Sequence, residues 1–326
     1  MASNTKAFIA TSIAKLHEEG QLDMDAPVRT YLPWFTLYDE YVSAHTTVRD
    51  LLCHRVGLGT FSGDVVWYKS DLTAEQVIRQ IRHLPQAYEF RAGYGYSNLM
   101  FITAGEVIRA VTGDSWDAYV RTQFLDPLGM TRTQTTVSKL ASITNVATPH
   151  ISRNDNQPIP WANWDNMGAA GGIVSSVSDM LRWLELQMNL GVYGEKRLFA
   201  ASVPATCWRP HNPLGGSQNF SSAGLGWFLQ SREGRRIVSH GGGYDGMYSQ
   251  VMMAPDEQLG IVVLTNGMTG LSAALSNYIM DTYSWAFHRR LAGTGNRKGG
   301  AKHKRLERTP RRTRTTSQAR YHPHCG

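Results

Sequence analysis

The chain has 326 residues, 42% hydrophobic and 18% charged, with a formal net charge of +7. That is enough apolar material for a sizeable core and argues against a disordered or fibrous chain. The charge is concentrated at one end: residues 289–326 hold 12 Lys and Arg against Glu307 alone, while residues 1–288 hold 21 basic against 25 acidic residues, so nucleic-acid binding is not expected of the mildly acidic body.

No apolar stretch approaches the roughly 18 residues that a membrane-crossing helix needs. Cys53, Cys207 and Cys325 lie far apart and form no C-x-x-C. This argues against a zinc site or a disulfide framework and leaves the redox compartment open. Residues 5–19 read as a helix stopped by Gly20, a natural residue for the position after a helix end. Residues 22–33 read as loop with a short turn, and 47–53 as a second helix. Thr73-Ala74-Glu75-Gln76 has the form of a capping box, opening a helix with Val77, Ile78, Ile81 and Leu84 on one face. A further helix is predicted from Asn98 to Thr112, before Gly113, then one over 116–124, then one capped by Ser178 and running to Asn189 before Gly191.

After Gly224 the pattern changes. Residues 225–230, 236–240, 247–254 and 259–266 are short apolar runs separated by turn residues such as Glu233-Gly234 and Pro255-Asp256, which predicts an antiparallel meander. Residues 272–287 read as a closing helix with Leu275, Ile279 and Ala286 at helical spacing. Helices followed by strands and a helix give an α+β layered architecture. Gly241-Gly242-Gly243-Tyr244-Asp245-Gly246 fits G-x-G-x-x-G, but a dinucleotide site needs a helix next, to receive the pyrophosphate, and a strand follows here. No cofactor is expected.

Three short signals carry chemistry: Ser3-Asn4-Thr5-Lys6, Tyr96-Ser97-Asn98 and His240-Gly241-Gly242. On a helix, a lysine three residues after a serine lies on the same face and can take its proton. Ser3 would also stand at a helix start, where free N–H groups and the positive dipole end favour a forming oxyanion. Ser12-Ile13-Ala14-Lys15 is a second S-x-x-K. It lies mid-helix and, nine residues on, about half a turn away, so it reads as an ordinary helix serine. Taken together, the three signals read as an acyl-transferring serine enzyme whose base is a lysine with a tyrosine. There is no G-x-S-x-G nucleophile elbow.

On these motifs the chain resembles the serine β-lactamase superfamily, in the branch of class C β-lactamases, penicillin-binding D,D-peptidases and related esterases. The likeness extends to 47–58 (Thr-Val-Arg-Asp-Leu-Leu-Cys-His-Arg-Val-Gly-Leu, with Val56 where serine is usual), to the run from Phe90 into Tyr96, to Pro127-Leu128-Gly129-Met130 and to 170–176. It implies an antiparallel sheet flanked by helices beside an all-helical part, with the site between them. The helical part is expected over roughly 25–170 and the sheet part over 1–24 and 171–288. The family's helix and strands before the nucleophile have no counterpart ahead of Ser3, which suggests that Met1 is an internal methionine of a longer protein and leaves localisation open. The basic segment 289–326 reads as solvated: either an arm for nucleic acid or an anionic surface or, more plainly, a non-native or out-of-frame end.

For matching positions the resemblance implies Ser3 as nucleophile, with Lys6 and Tyr96 as proton acceptor and relay. Asn98, His240, Gly242 and Gly243 are implied around the substrate, with the N–H groups of Ser3 and Gly243 as oxyanion hole. His240 stands where many relatives have lysine, and Gly241 where many have serine or threonine. The expected activity is hydrolysis or transfer at a small-molecule ester, amide or lactam through an acyl-Ser3, with esters favoured. The alternative is a catalytically silent, penicillin-binding-like scaffold. Neither the natural substrate nor the oligomeric state follows from the sequence.

Overall fold

A computed structural model describes residues 1–153, 155–215 and 220–294. Residues Met1–Ser284 form one compact unit. A single 3₁₀ turn, Ala2–Asn4, leads into α1, Thr5–Glu18. Every residue of α1 from Thr5 to Leu16 is buried. Such a helix lies in the core rather than against it, and its weak amphipathicity follows.

The helical layer comes next. It holds α2 (Glu40–His45), α3 (Val48–Leu52), α4 (Ala74–Arg79), α5 (Asn98–Thr112), α6 (Trp116–Val120) and the short α7 (Gly168–Gly171). The capping box is present at Thr73 and Gln76, and a second one at Thr47 and Asp50 opens α3. α5 ends at Gly113, whose φ of +80° stops it in the left-handed region. α8 spans Val177–Met188. Its cap is Ser176 rather than the expected Ser178, because it is the Ser176 hydroxyl that accepts the Asp179 N–H. A small hairpin, β1 (His150–Arg153) with β2 (Asp155–Pro158), interrupts the stretch expected to be wholly helical. Two-residue strands β3 (Val192–Tyr193) and β4 (Lys196–Arg197) pair before α9 (Ser202–Cys207).

The main sheet has six antiparallel strands: β5 (Asn212–Pro213), β6 (Ser221–Ala223), β7 (Phe228–Arg232), β8 (Arg235–Tyr244), β9 (Met247–Ala254) and β10 (Leu259–Thr265). They lie in chain order, β10-β9-β8-β7-β6-β5, the meander that the turn spacing predicts. The glycine-rich run 241–246 is the end of β8 and the turn into β9, with Gly246 at φ +75°. α10 follows at Leu271–Thr294. Its buried side chains include Ser272, Ser276 and Met280. The predicted face was therefore out of phase: Leu275 is exposed and Ile279 only half-buried, and Ala286 falls where side chains are not described. The basic sequence after Thr294 also lies outside the described residues.

Two contacts fix α1 between the layers. The ring of Phe8 stacks on Trp183 of α8 at 3.8 Å. On another side Gly226, at φ +69°, approaches so closely that a Cβ there would lie 2.5 Å from the Lys6 carbonyl oxygen. No helix among the described residues is long and apolar enough to cross a membrane.

Candidate active site

Ser3 occupies the 3₁₀ turn at the start of α1 and is half-buried, whereas Lys6, on the first turn of α1, has no exposed surface. The Lys6 Nζ donates to Ser3 Oγ at 3.0 Å, to Asn98 Oδ1 at 2.7 Å and to the carbonyl of Ala170 at 2.7 Å. It also lies 4.8 Å from the centre of the Tyr96 ring and 5.4 Å from that of Phe101. Burial in this apolar shell lowers the Lys6 pKa from 10.5 to about 7, with the nearby Asp64 charge pulling the other way.

Tyr96 precedes α5 and is itself buried. Loss of water raises its phenol well above the usual range, against a hydrogen bond with Ser3 that lowers it. Asn98 is the first residue of α5, and its Nδ2 donates to Asp64 Oδ2 at 2.8 Å. His54 stacks on Tyr96 at 4.5 Å, and its Nδ1 accepts the Ser97 N–H at 3.1 Å. Its imidazole is held well below its ordinary pKa by burial and by Lys6. His54 and Asp64 come from the segment between α3 and α4. His54 sits inside a family-like stretch of sequence; Asp64 carries no local motif that would single it out.

His240 lies on β8. Burial and the Lys6 charge lower its pKa to about 3, so the ring is neutral at physiological pH. Its Nδ1 lies 2.6 Å from the Gly241 carbonyl. A carbonyl only accepts, which assigns the proton to Nδ1 and leaves Nε2 an acceptor. The β7–β8 register stops at Phe228↔Ser239, while β8 stays paired with β9 as far as Tyr244↔Met247. The backbone of 240–244 is therefore free of β7 on one side. Gly242 packs against the Ser3 turn: a Cβ there would lie 2.2 Å from the Met1 carbonyl oxygen and 3.1 Å from Asn4 Nδ2. At Gly243 a Cβ would make ordinary van der Waals contact, with the Met268 methyl at 3.5 Å and the Tyr248 ring at 3.8 Å. At Gly241 a Cβ would meet Tyr248 Oη at 2.5 Å, so the tyrosine hydroxyl fills the space a side chain would take.

The structure thus links Ser3, Lys6 and Asn98 by hydrogen bonds, with the Tyr96 ring centre 4.8 Å from the Lys6 Nζ and His240 against Tyr96 at 6.1 Å between ring centres. Ser12 is elsewhere: it is buried in α1 and donates to the Phe8 carbonyl at 2.8 Å. Among the described residues no cluster of His, Cys, Asp and Glu could hold a metal ion. Cys53 and Cys207 are both free thiols, buried and pushed up to about 12.

Comparison with known proteins gives a consistent result. An unguisins hydrolase of Aspergillus violaceofuscus is 29% identical over 296 residues, covering 81% of this chain and 51% of that protein. The chain therefore spans about half the length of this curated relative. Among solved structures, a D-stereospecific amidohydrolase from Streptomyces sp. superposes with a TM-score of 0.69 at 25% identity, over 81% of each chain. The D-amino acid amidase of Ochrobactrum anthropi SV3 gives 0.72 at 22% identity, over 89% of this chain and 84% of its own, and speaks to the fold alone. A family model described as Beta-lactamase matches residues 1–281, and on that match the chain belongs to the Beta-lactamase family.

Proposed function

We propose that the chain is a serine hydrolase that works through an acyl-Ser3 intermediate. The observation that carries this reading is the environment of the Lys6 amine. A neutral amine has two N–H groups and one lone pair, and two of its three neighbours, Asn98 Oδ1 and the Ala170 carbonyl, can only accept. Once Lys6 gives up a proton, both N–H groups are committed and the lone pair is left for the third direction, towards Ser3 Oγ at 3.0 Å. With a pKa near 7, the amine is neutral in a large share of molecules at neutral pH.

The same values divide the roles. Lys6 accepts the Ser3 proton as Oγ attacks a carbonyl carbon, and the carbonyl π electrons move to its oxygen. Tyr96, held above its usual pKa, stays protonated and serves as the donor to the departing group, recovering its proton from Lys6. The oxyanion would be met by the N–H groups of Ser3 and Gly243, at the helix start and at the open stretch of β8. Water then takes the place of the departing group and the steps run in reverse. Asn98 orients Lys6, and Gly242 lets β8 approach the nucleophile turn.

Ester substrates are favoured. His240 offers no positive charge and Gly241 no hydroxyl for a substrate carboxylate, whereas an uncharged acyl group needs neither. The unguisins hydrolase is named for the compounds it hydrolyses and the D-stereospecific amidohydrolase for an amide; both support the hydrolase reading without setting the substrate. A fluorophosphonate probe followed by intact-mass measurement tests the nucleophile. One adduct on Ser3 is expected, lost in Ser3→Ala and retained in Ser12→Ala. Absence of any adduct in the parent chain would favour the silent penicillin-binding-like scaffold instead.

A further inference from the structure

We propose that Asp64 is a positioning residue for the Lys6 base: through Asn98 it orients the acceptor that holds Lys6, and its charge sets the pH at which Lys6 becomes available to Ser3. This rests on the reading of Lys6 as the base and extends it to a residue outside the three motifs.

Asn98 has two chemically different ends, and an amide can be turned either way. Asp64 decides which way. As a carboxylate it only accepts, so the Asn98 NH₂ must face it, at 2.8 Å, and the Asn98 oxygen is left facing Lys6 Nζ at 2.7 Å. The reverse orientation would set the carboxylate against a carbonyl oxygen and Lys6 against an NH₂ group. Asp64 is in turn fixed on its second oxygen by the Trp67 Nε1–H, at 2.9 Å. Backbone geometry supports the placement. Gly63 sits at φ +80°, and a Cβ there would meet Leu84 and Leu99 methyl carbons at 2.6 and 2.7 Å, so the turn that delivers Asp64 needs glycine.

The charge also matters. The titratable groups around Lys6 are Asp64 and His54 from the segment between α3 and α4, Tyr96 from the start of α5, and His240 from β8; α7 supplies the Ala170 carbonyl. The histidines are held neutral by burial and Tyr96 stays a phenol. Asp64 is the one anion in this set. Burial pushes its carboxyl up, while the two N–H donors and Lys6 draw it back. It therefore opposes the desolvation that lowers Lys6.

The test is the pH dependence of Ser3 acylation by a fluorophosphonate, read as the acid limb of the rate profile, in Asp64→Asn, Asp64→Glu and Trp67→Phe. In Asp64→Asn the limb should move to lower pH by about half a unit or more, because Lys6 loses its counter-charge. The plateau should also fall about tenfold, because Asn98 is no longer held in one orientation. Asp64→Glu and Trp67→Phe keep the charge and should keep the limb within a few tenths of a unit of the parent. Should Asp64→Asn fail to fold, Asp64→Ser, with room for water, is read in the same way. A limb unmoved in the uncharged variants, with only the plateau or the melting temperature changed, would overturn the proposal while leaving Lys6 as the base. A parent chain that labels at Ser3 with no acid limb near neutrality would overturn both.

Discussion

A lysine without exposed surface at the first turn of a buried helix is a standing cost to stability, and its sign with pH can be worked out. The folded protein gives up the Lys6 proton at about 7, whereas the unfolded chain keeps it to about 10.5. Between those values the unfolded state holds more protons, so stability rises with pH, by at most about 1.4 kcal/mol per unit. Below about 7 both states are protonated and the full cost of the buried ammonium is carried. Lys6→Met removes the charge at similar length. The difference in melting temperature, variant minus parent, should therefore be most favourable to the variant at pH 6 and shrink steadily towards pH 10, while Ser3 labelling is lost. Thermal melts at four or five pH values measure this. A difference that is flat across the range would show that Lys6 titrates near its ordinary value.

At the scale of the element, α1 does two jobs: it carries Lys6 and continues the turn that bears Ser3, and it forms the centre of the core. Phe8 shows the coupling, being fully buried two residues after Lys6 and stacked on Trp183, which in turn meets Phe124 edge-on at 5.5 Å. Phe8→Ala should lower unfolding free energy by about 3–5 kcal/mol, as removal of a buried aromatic ring usually does. Phe8→Leu should lose less than half of that. Urea titrations with an unchanged m-value measure it; a loss under about 1 kcal/mol would mean that α1 is not the centre of the core. Much at this scale could be read in the chain itself. The Thr73 cap, the run from Asn98 to Gly113 and the four-stranded end of the meander are local signals, each complete within one element or between elements adjacent in the chain. What could not be read was set by distant partners. Ser176 and Ser178 both stand near the start of α8, and in the folded chain it is Ser176 that caps it, three residues before Asp179. On α10, small Ser272 and Ser276 are buried while Leu275 is not, because the face is chosen by the sheet beneath rather than by hydropathy. Asp64 reaches Lys6 through a residue 34 positions later in the chain, and no short window contains both.

For the whole molecule, we expect substrate choice to rest on residues that meet only because the sheet and the helical layer close around Ser3. From β8 come neutral His240 and Gly241, from β9 the Tyr248 hydroxyl beside Gly241, and from β7 Phe228, whose ring lies 4.9 Å from His240 and 6.3 Å from Tyr96. From the segment before α4 comes Phe61, edge-on to Tyr96 at 5.4 Å and more than half exposed. Around Ser3 this gives aromatic surface, and from β8 a neutral imidazole rather than a cation. A β-lactam presents a carboxylate, and the lack of a charge-assisted bond from the neutral His240 should weaken its transition state by a few kcal/mol, or about 10²-fold. A short acyl ester loses nothing by its absence and gains from the apolar surface, at about 0.8 kcal/mol for each methylene fully buried. We therefore expect kcat/KM to fall in the order p-nitrophenyl butyrate, p-nitrophenyl acetate, nitrocefin, with nitrocefin lower than butyrate by about 10²-fold and with Phe61→Ala narrowing the gap between the two esters. Nitrocefin turnover at or above the ester rates would remove the ester preference and assign the site to lactams, and an equal rate for acetate and butyrate would show that the Phe61 surface does not hold the acyl chain.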